Sequence, residues 1–135
     1  MKNTLIILLM IVAVAFSACS FNKDAEVNSF IAEMDNLTNE IVRAVDEQPA
    51  TGVDKAQRIL DGRKAEIKTS FEKLNDIRGF QLSDEMKKKF TDAITKNVEA
   101  VNTLQIKYVE QSVEDNSFGE KLKKLSTDYN SIFGV

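Results

Sequence analysis

Residues 24–47, DAEVNSFIAEMDNLTNEIVRAVDE, decide the fold. Val27, Phe30, Ile31, Met34, Leu37, Thr38, Ile41, Val42 and Val45 recur at steps of three and four, which puts them on one face of an α-helix. The remaining positions are polar or alanine and include seven acids. A helix about 36 Å long with one apolar stripe cannot bury that stripe alone, so it needs helical neighbours.

The neighbours lie downstream. Gln48-Pro49-Ala50-Thr51-Gly52 breaks the period, because proline cannot continue a helix and glycine favours a turn. The period resumes in Val53, Ala56, Ile59, Leu60, Ile67, Phe71, Leu74 and Ile77, and Gly79 follows Arg78 in the position that closes helices, predicting a second helix over 53–78. Ser83 with Asp84 and Glu85 is a helix start, a capping hydroxyl with acids at the positive end of the dipole. The third stripe, Met86, Phe90, Ala93, Ile94, Val98, Val101, Leu104 and Tyr108, predicts a helix running to about Glu114. Near its end Ile106, Val109 and Val113 form a second apolar line, which calls for a second neighbour. The last segment is the obvious one: Ser117 and Glu120 have capping-box spacing, and Phe118, Leu122, Leu125, Tyr129, Ile132 and Phe133 recur helically. A strand at Leu104, Ile106 and Tyr108 competes, but no second strand exists to pair with it. The expected class is therefore all-α, an antiparallel bundle of three long helices plus a shorter C-terminal one over residues 24–135. Phe80 and Leu82 should plug one end of its core.

Upstream of the bundle, Lys2 precedes the unbroken apolar run Leu5 to Phe16, which ends in Phe16-Ser17-Ala18-Cys19. A charged start, an apolar stretch of this length and small residues before a cut have the form of a secretory signal. The four closing residues resemble the lipobox of bacterial lipoproteins, with Phe16 where leucine is usual. The resemblance covers the targeting segment only. It implies that residues 1–18 are removed, that Cys19 carries the lipid, and that residues 19–23 tether the domain to a membrane. By the sorting rule of enteric bacteria, Ser20 in place of aspartate implies the outer membrane of a Gram-negative host. An ordinary cleaved signal and an uncleaved anchor compete with this reading. Twelve apolar residues reach only about 18 Å as a helix, short of the roughly 30 Å hydrocarbon core, which weighs against the anchor. With Cys19, the only cysteine, acylated, no disulfide is available, and packing alone must hold the domain.

Charge and missing residue types bound the function. Removal of Lys2 leaves 17 basic against 21 acidic residues, a formal charge of −4, which argues against nucleic acid as a partner. Lys87-Lys88-Lys89 points in three directions around a helix, and Asp84 and Glu85 stand four residues before Lys88 and Lys89, so the run reads as a solvated, internally paired face. The first helix carries seven acids against Arg43 alone, while the second has a surplus of two positive charges. Attraction between these two helices accounts for part of the excess. The remainder, represented by Glu33 and Glu40 one above the other on one face, is a candidate acidic surface for a basic partner. That carboxylate pair would serve a glycosidase or a hard metal only with help from another helix. The chain has no histidine, no thiol left for nucleophilic work and no glycine-rich phosphate loop, so no catalytic, cofactor or metal residues are assigned. These features predict a lipid-anchored, non-enzymatic interaction or structural module of the cell envelope. It is held at the membrane through Cys19 and available to an envelope protein. The alternative is a carrier that opens its bundle around an apolar ligand, with Met34 and Met86 as adaptable lining.

Overall fold

A computed structural model describes residues 23–77 and 81–135. Among these the chain is all-α, with five helices and no strand: α1 (Asp24–Glu47), α2 (Pro49–Asn75), α3 (Asp84–Lys107), α4 (Val109–Glu114) and α5 (Asn116–Asn130). No helix of the described residues is long and apolar enough to cross a membrane.

The stripe in residues 24–47 forms one unbroken helix, and Val27, Phe30, Ile31, Met34, Leu37, Thr38, Ile41 and Val45 are all buried. The break after it is shorter than expected. Gln48 alone turns the chain, and α2 begins at Pro49 rather than at Val53. Proline is acceptable there because the first N–H of a helix has no intrahelical acceptor to lose. Gly52 is consequently a helical residue, not a turn. A Cβ at Gly52 would lie 1.8 Å from the Ala44 carbonyl oxygen, so its bare backbone is what lets α1 and α2 touch.

The helix also ends earlier than 78, at Asn75, where the Asp76 N–H bonds to the Glu72 carbonyl at 3.2 Å. Arg78, Gly79 and Phe80 lie outside the described residues. Leu82 packs against the core.

Ser83 caps α3, its Oγ accepting the Met86 N–H at 3.1 Å. The expected single helix to Glu114 is bent at Tyr108 (φ −110°, ψ 26°) and resumes as α4. Asp115, not Ser117, caps the last helix, accepting the Phe118 N–H at 3.2 Å, while Glu120 accepts a side-chain bond from Asn116. This cap turns Phe118 inward, where it meets the Tyr108 ring edge-on at 6.0 Å. The second apolar line is a further correction: Ile106, Val109 and Val113 are 75%, 54% and 80% exposed. The last helix approaches α4 on the neighbouring face instead, where a Cβ on Gly119 would come within 3.0 Å of Ser112 Cβ.

Met34 and Met86 are packed in the core with Leu37, Ile41, Leu60, Ile67, Leu122 and Leu125. The Phe30, Phe71 and Phe90 rings meet at 5.8–6.3 Å, and Phe133 closes on Phe71 at 5.3 Å. The buried polar side chains Thr38, Asn97 and Ser126 each have a partner, whereas Gln57 Oε1 and Asn130 Oδ1 are buried without one among the described residues. Thr38 and Tyr129 share a 2.5 Å hydrogen bond, Asn97 donates to Asp35 at 2.6 Å and to the Ala93 carbonyl at 2.8 Å, and Ser126 donates to Asn102. Burial holds the Tyr129 hydroxyl neutral and pushes its pKa up to about 12, against the opposing pull of its bond to Thr38.

Candidate functional site

Cys19, the expected lipidation site, lies outside the described residues, as does all of the signal segment. The acidic helix α1 can be followed residue by residue. Glu33 and Glu40 flank one guanidinium: Arg63 Nη2 stands 4.0 Å from Glu33 and Nη1 3.7 Å from Glu40. Both carboxylates are about one-third exposed, so the pairing is only partly screened by water. A positive group held between the two acids competes with any cation there. Among the described residues no cluster of three or more acidic, histidine or cysteine side chains is disposed to hold a metal.

The other acids of α1 are also engaged within the chain. Ser83 donates to Asp24, Lys23 pairs with Glu26 at 2.5 Å, Lys96 reaches Asp35 at 3.6 Å, and Arg43 reaches Glu47 at 3.8 Å. Asp46 takes hydrogen bonds from Lys107 Nζ and from Tyr108 Oη, both at 2.7 Å. Partial burial pushes the Asp46 carboxyl up, but these two donors and the lysine charge outweigh it and hold the carboxyl below its usual range. Burial, followed by the bond to Asp46, raises the Tyr108 hydroxyl in turn.

The expected balance between the first two helices is therefore incomplete. Among the described residues Arg63 is the one α2 cation that pairs with α1; Lys96 and Lys107 of α3 take Asp35 and Asp46, and Lys23 and Arg43 take Glu26 and Glu47. The lysine run of α3 is likewise paired, though differently from the expected spacing. Lys87 bonds Asp84 at 2.7 Å, Lys88 bonds Asp92, and Lys89 crosses to Asn28 of α1 at 2.6 Å.

A different surface remains without a partner. No residue of α4 is buried. Val109, Glu110, Val113 and Glu114 line a shallow groove of about 340 Å³, and Ile106 extends its apolar line back into α3. Neither Glu110 nor Glu114 has a hydrogen-bond or ion-pair partner among the described residues. Sequence reasoning found the apolar line but gave it to the last helix, and it passed over the two acids. Their spacing of four, beside apolar residues at 106, 109 and 113, was the available signal.

The chain matches no protein-family model, no curated protein and no solved structure.

Proposed function

We propose that this chain is a lipid-anchored lipoprotein of the cell envelope that acts as a non-enzymatic interaction or structural module. The observation that carries the interaction role is the uncovered apolar line Ile106, Val109 and Val113. Among the described residues the only other large apolar side chain so exposed is Val135, and a contiguous exposed line of three marks a contact surface. Glu33 and Glu40, tied to Arg63, remain a secondary acidic surface for a basic envelope partner. The non-enzymatic reading rests on the absence of histidine and on the use of the sole cysteine for lipid.

The shape that presents this surface is an antiparallel bundle, in which α1, α2 and α3 run up, down and up and α5 runs down beside α3. Cross-helix pairs support it. Along α1 and α3 the numbers climb together, Asp24 with Ser83, Asn28 with Lys89, Asp35 with Lys96, Asp46 with Lys107. Along α1 and α2 they run oppositely, Ala44 beside Gly52, Glu40 with Arg63, Phe30 with Phe71. Lys121 with Asp54 and Asp128 with Lys64 support α5 running in the direction of α2. The α4 surface stands about one helix length, roughly 36 Å, from the start of α1.

Localisation is tested by membrane fractionation of cells expressing the native chain and Cys19→Ser. The lipoprotein reading expects the variant in the soluble fraction or retained as a larger precursor, since stable anchoring takes more than one acyl chain. Equal membrane retention and equal size of the two would overturn it. In a Gram-negative host the native chain should be recovered with the outer membrane.

A further inference from the structure

We infer that the α4 strip is a docking site for a basic amphipathic helix. The inference deepens the interaction reading above by naming the partner's chemistry. Backbone hydrogen bonds carry the helical course across the bend, Tyr108 N–H to Leu104 O at 3.0 Å and Ser112 N–H to Tyr108 O at 2.9 Å. At 100° per residue, Ile106, Val109 and Val113 then fall within a sector of about 60°, with Glu110 and Glu114 along one edge. The other edge is the Ser112 face, already closed against α5 at Gly119. The apolar spacing of three and four is that of a coiled-coil seam two turns long, and a second helix is the element that fits such a seam.

Charge selects which helix. Glu110 and Glu114 are unpaired among the described residues, whereas the acids of α1 are consumed by Arg63, Lys96, Lys107 and their other partners. A partner with lysine or arginine beside its apolar stripe satisfies both acids as it covers the valines. A second copy of this chain, paired through α4 about a two-fold axis, would set Glu110 and Glu114 against their own counterparts. An anionic bilayer would be repelled by the same acids.

The test uses the full chain reconstituted in phosphatidylcholine nanodiscs, with empty nanodiscs as the blank. The probe is a fluorescein-labelled peptide of about two heptads, leucine at the seam positions and lysine beside them, together with a counterpart in which glutamate replaces lysine. Fluorescence anisotropy should show saturable binding of the lysine peptide and a clear preference for it over the glutamate peptide. The double substitution Val109→Asp with Val113→Asp should weaken binding by about tenfold or more, because it removes the buried apolar contact. Glu110→Lys with Glu114→Lys should invert the preference between the two peptides. Both pairs of positions are exposed, and far-ultraviolet circular dichroism confirms that each variant keeps its helices. Binding of the lysine peptide that ignores both double variants would overturn the inference. So would a concentration-dependent dimer that Val113→Asp dissolves, since a second copy would then be what covers the strip. Neither result would touch the anchoring through Cys19, which the fractionation experiment tests separately.

Discussion

Replacing Gly52 with alanine sets two effects of known size against each other. Alanine is the better helix former, and in a helix interior the exchange favours the folded state by about 1 kcal/mol. At Gly52 the new methyl would lie 1.8 Å from the Ala44 carbonyl oxygen and 2.7 Å from its carbon, both backbone atoms that no side-chain rotation can move. The two helices must part by more than an ångström. The layer that loosens holds Ala44, Val45 and Val53, all essentially buried. Overpacking of this kind costs about 1–3 kcal/mol, and more where backbone has to shift, so the steric term exceeds the propensity gain.

Gly62 provides the internal control. It lies in the middle of the same helix, and a Cβ there meets nothing within 4 Å. Gly62→Ala should therefore stabilise by about 1 kcal/mol while Gly52→Ala destabilises by about 1–2 kcal/mol net. Urea unfolding followed by circular dichroism reads both, and for a domain of this size the melting temperatures should move in opposite directions by several degrees. Equal stabilisation by the two substitutions would refute the close approach of α1 and α2.

Three further outcomes follow from the packing and the charges. Phe30→Ala should cost about 3–5 kcal/mol in the same unfolding assay, and Phe90→Ala less, because Phe30 is buried whereas Phe90 is only partly buried against the core. The Tyr129 hydroxyl is neutral in the fold with its pKa raised to about 12 against about 10 unfolded, so its contribution is complete below pH 10 and is lost as the pH rises toward 12; Tyr129→Phe should flatten that part of the stability profile. The Asp46 carboxyl is depressed in the fold, so its contribution is present above the usual carboxylate range and disappears as the pH falls through its folded value; Asp46→Asn should reduce the acid-side slope of the same profile.

Periodicity carried most of the fold because a helix facing a core must repeat its apolar residues every three or four positions, and α1 was legible from end to end for that reason. The boundaries that differed turned on single residues. Pro49 was read as a breaker when it opens α2, and Gly52 as a turn residue when it is a contact point between two backbones. The two roles of glycine look the same in a sequence, since only the neighbour at Ala44 distinguishes them. The bend at Tyr108 leaves no signal in the apolar pattern, which continues across it. The acids of α1 illustrate a different gap. Counting charge on adjacent helices left several of them unbalanced, yet Lys96 and Lys107 approach from α3, a neighbour in space that the count did not include. Glu33 and Glu40 do share a face, as their spacing of seven implies, and what lies between them is Arg63.

The anchoring at Cys19 is tested most directly by the intact mass of the protein extracted from membranes. A lipoprotein gives the mass of a chain beginning at Cys19 with a diacylglyceryl group added, with or without a further acyl chain on the new amino terminus. An unmodified chain still carrying Met1 to Ala18, or a cleaved chain with a free Cys19 thiol, would contradict it.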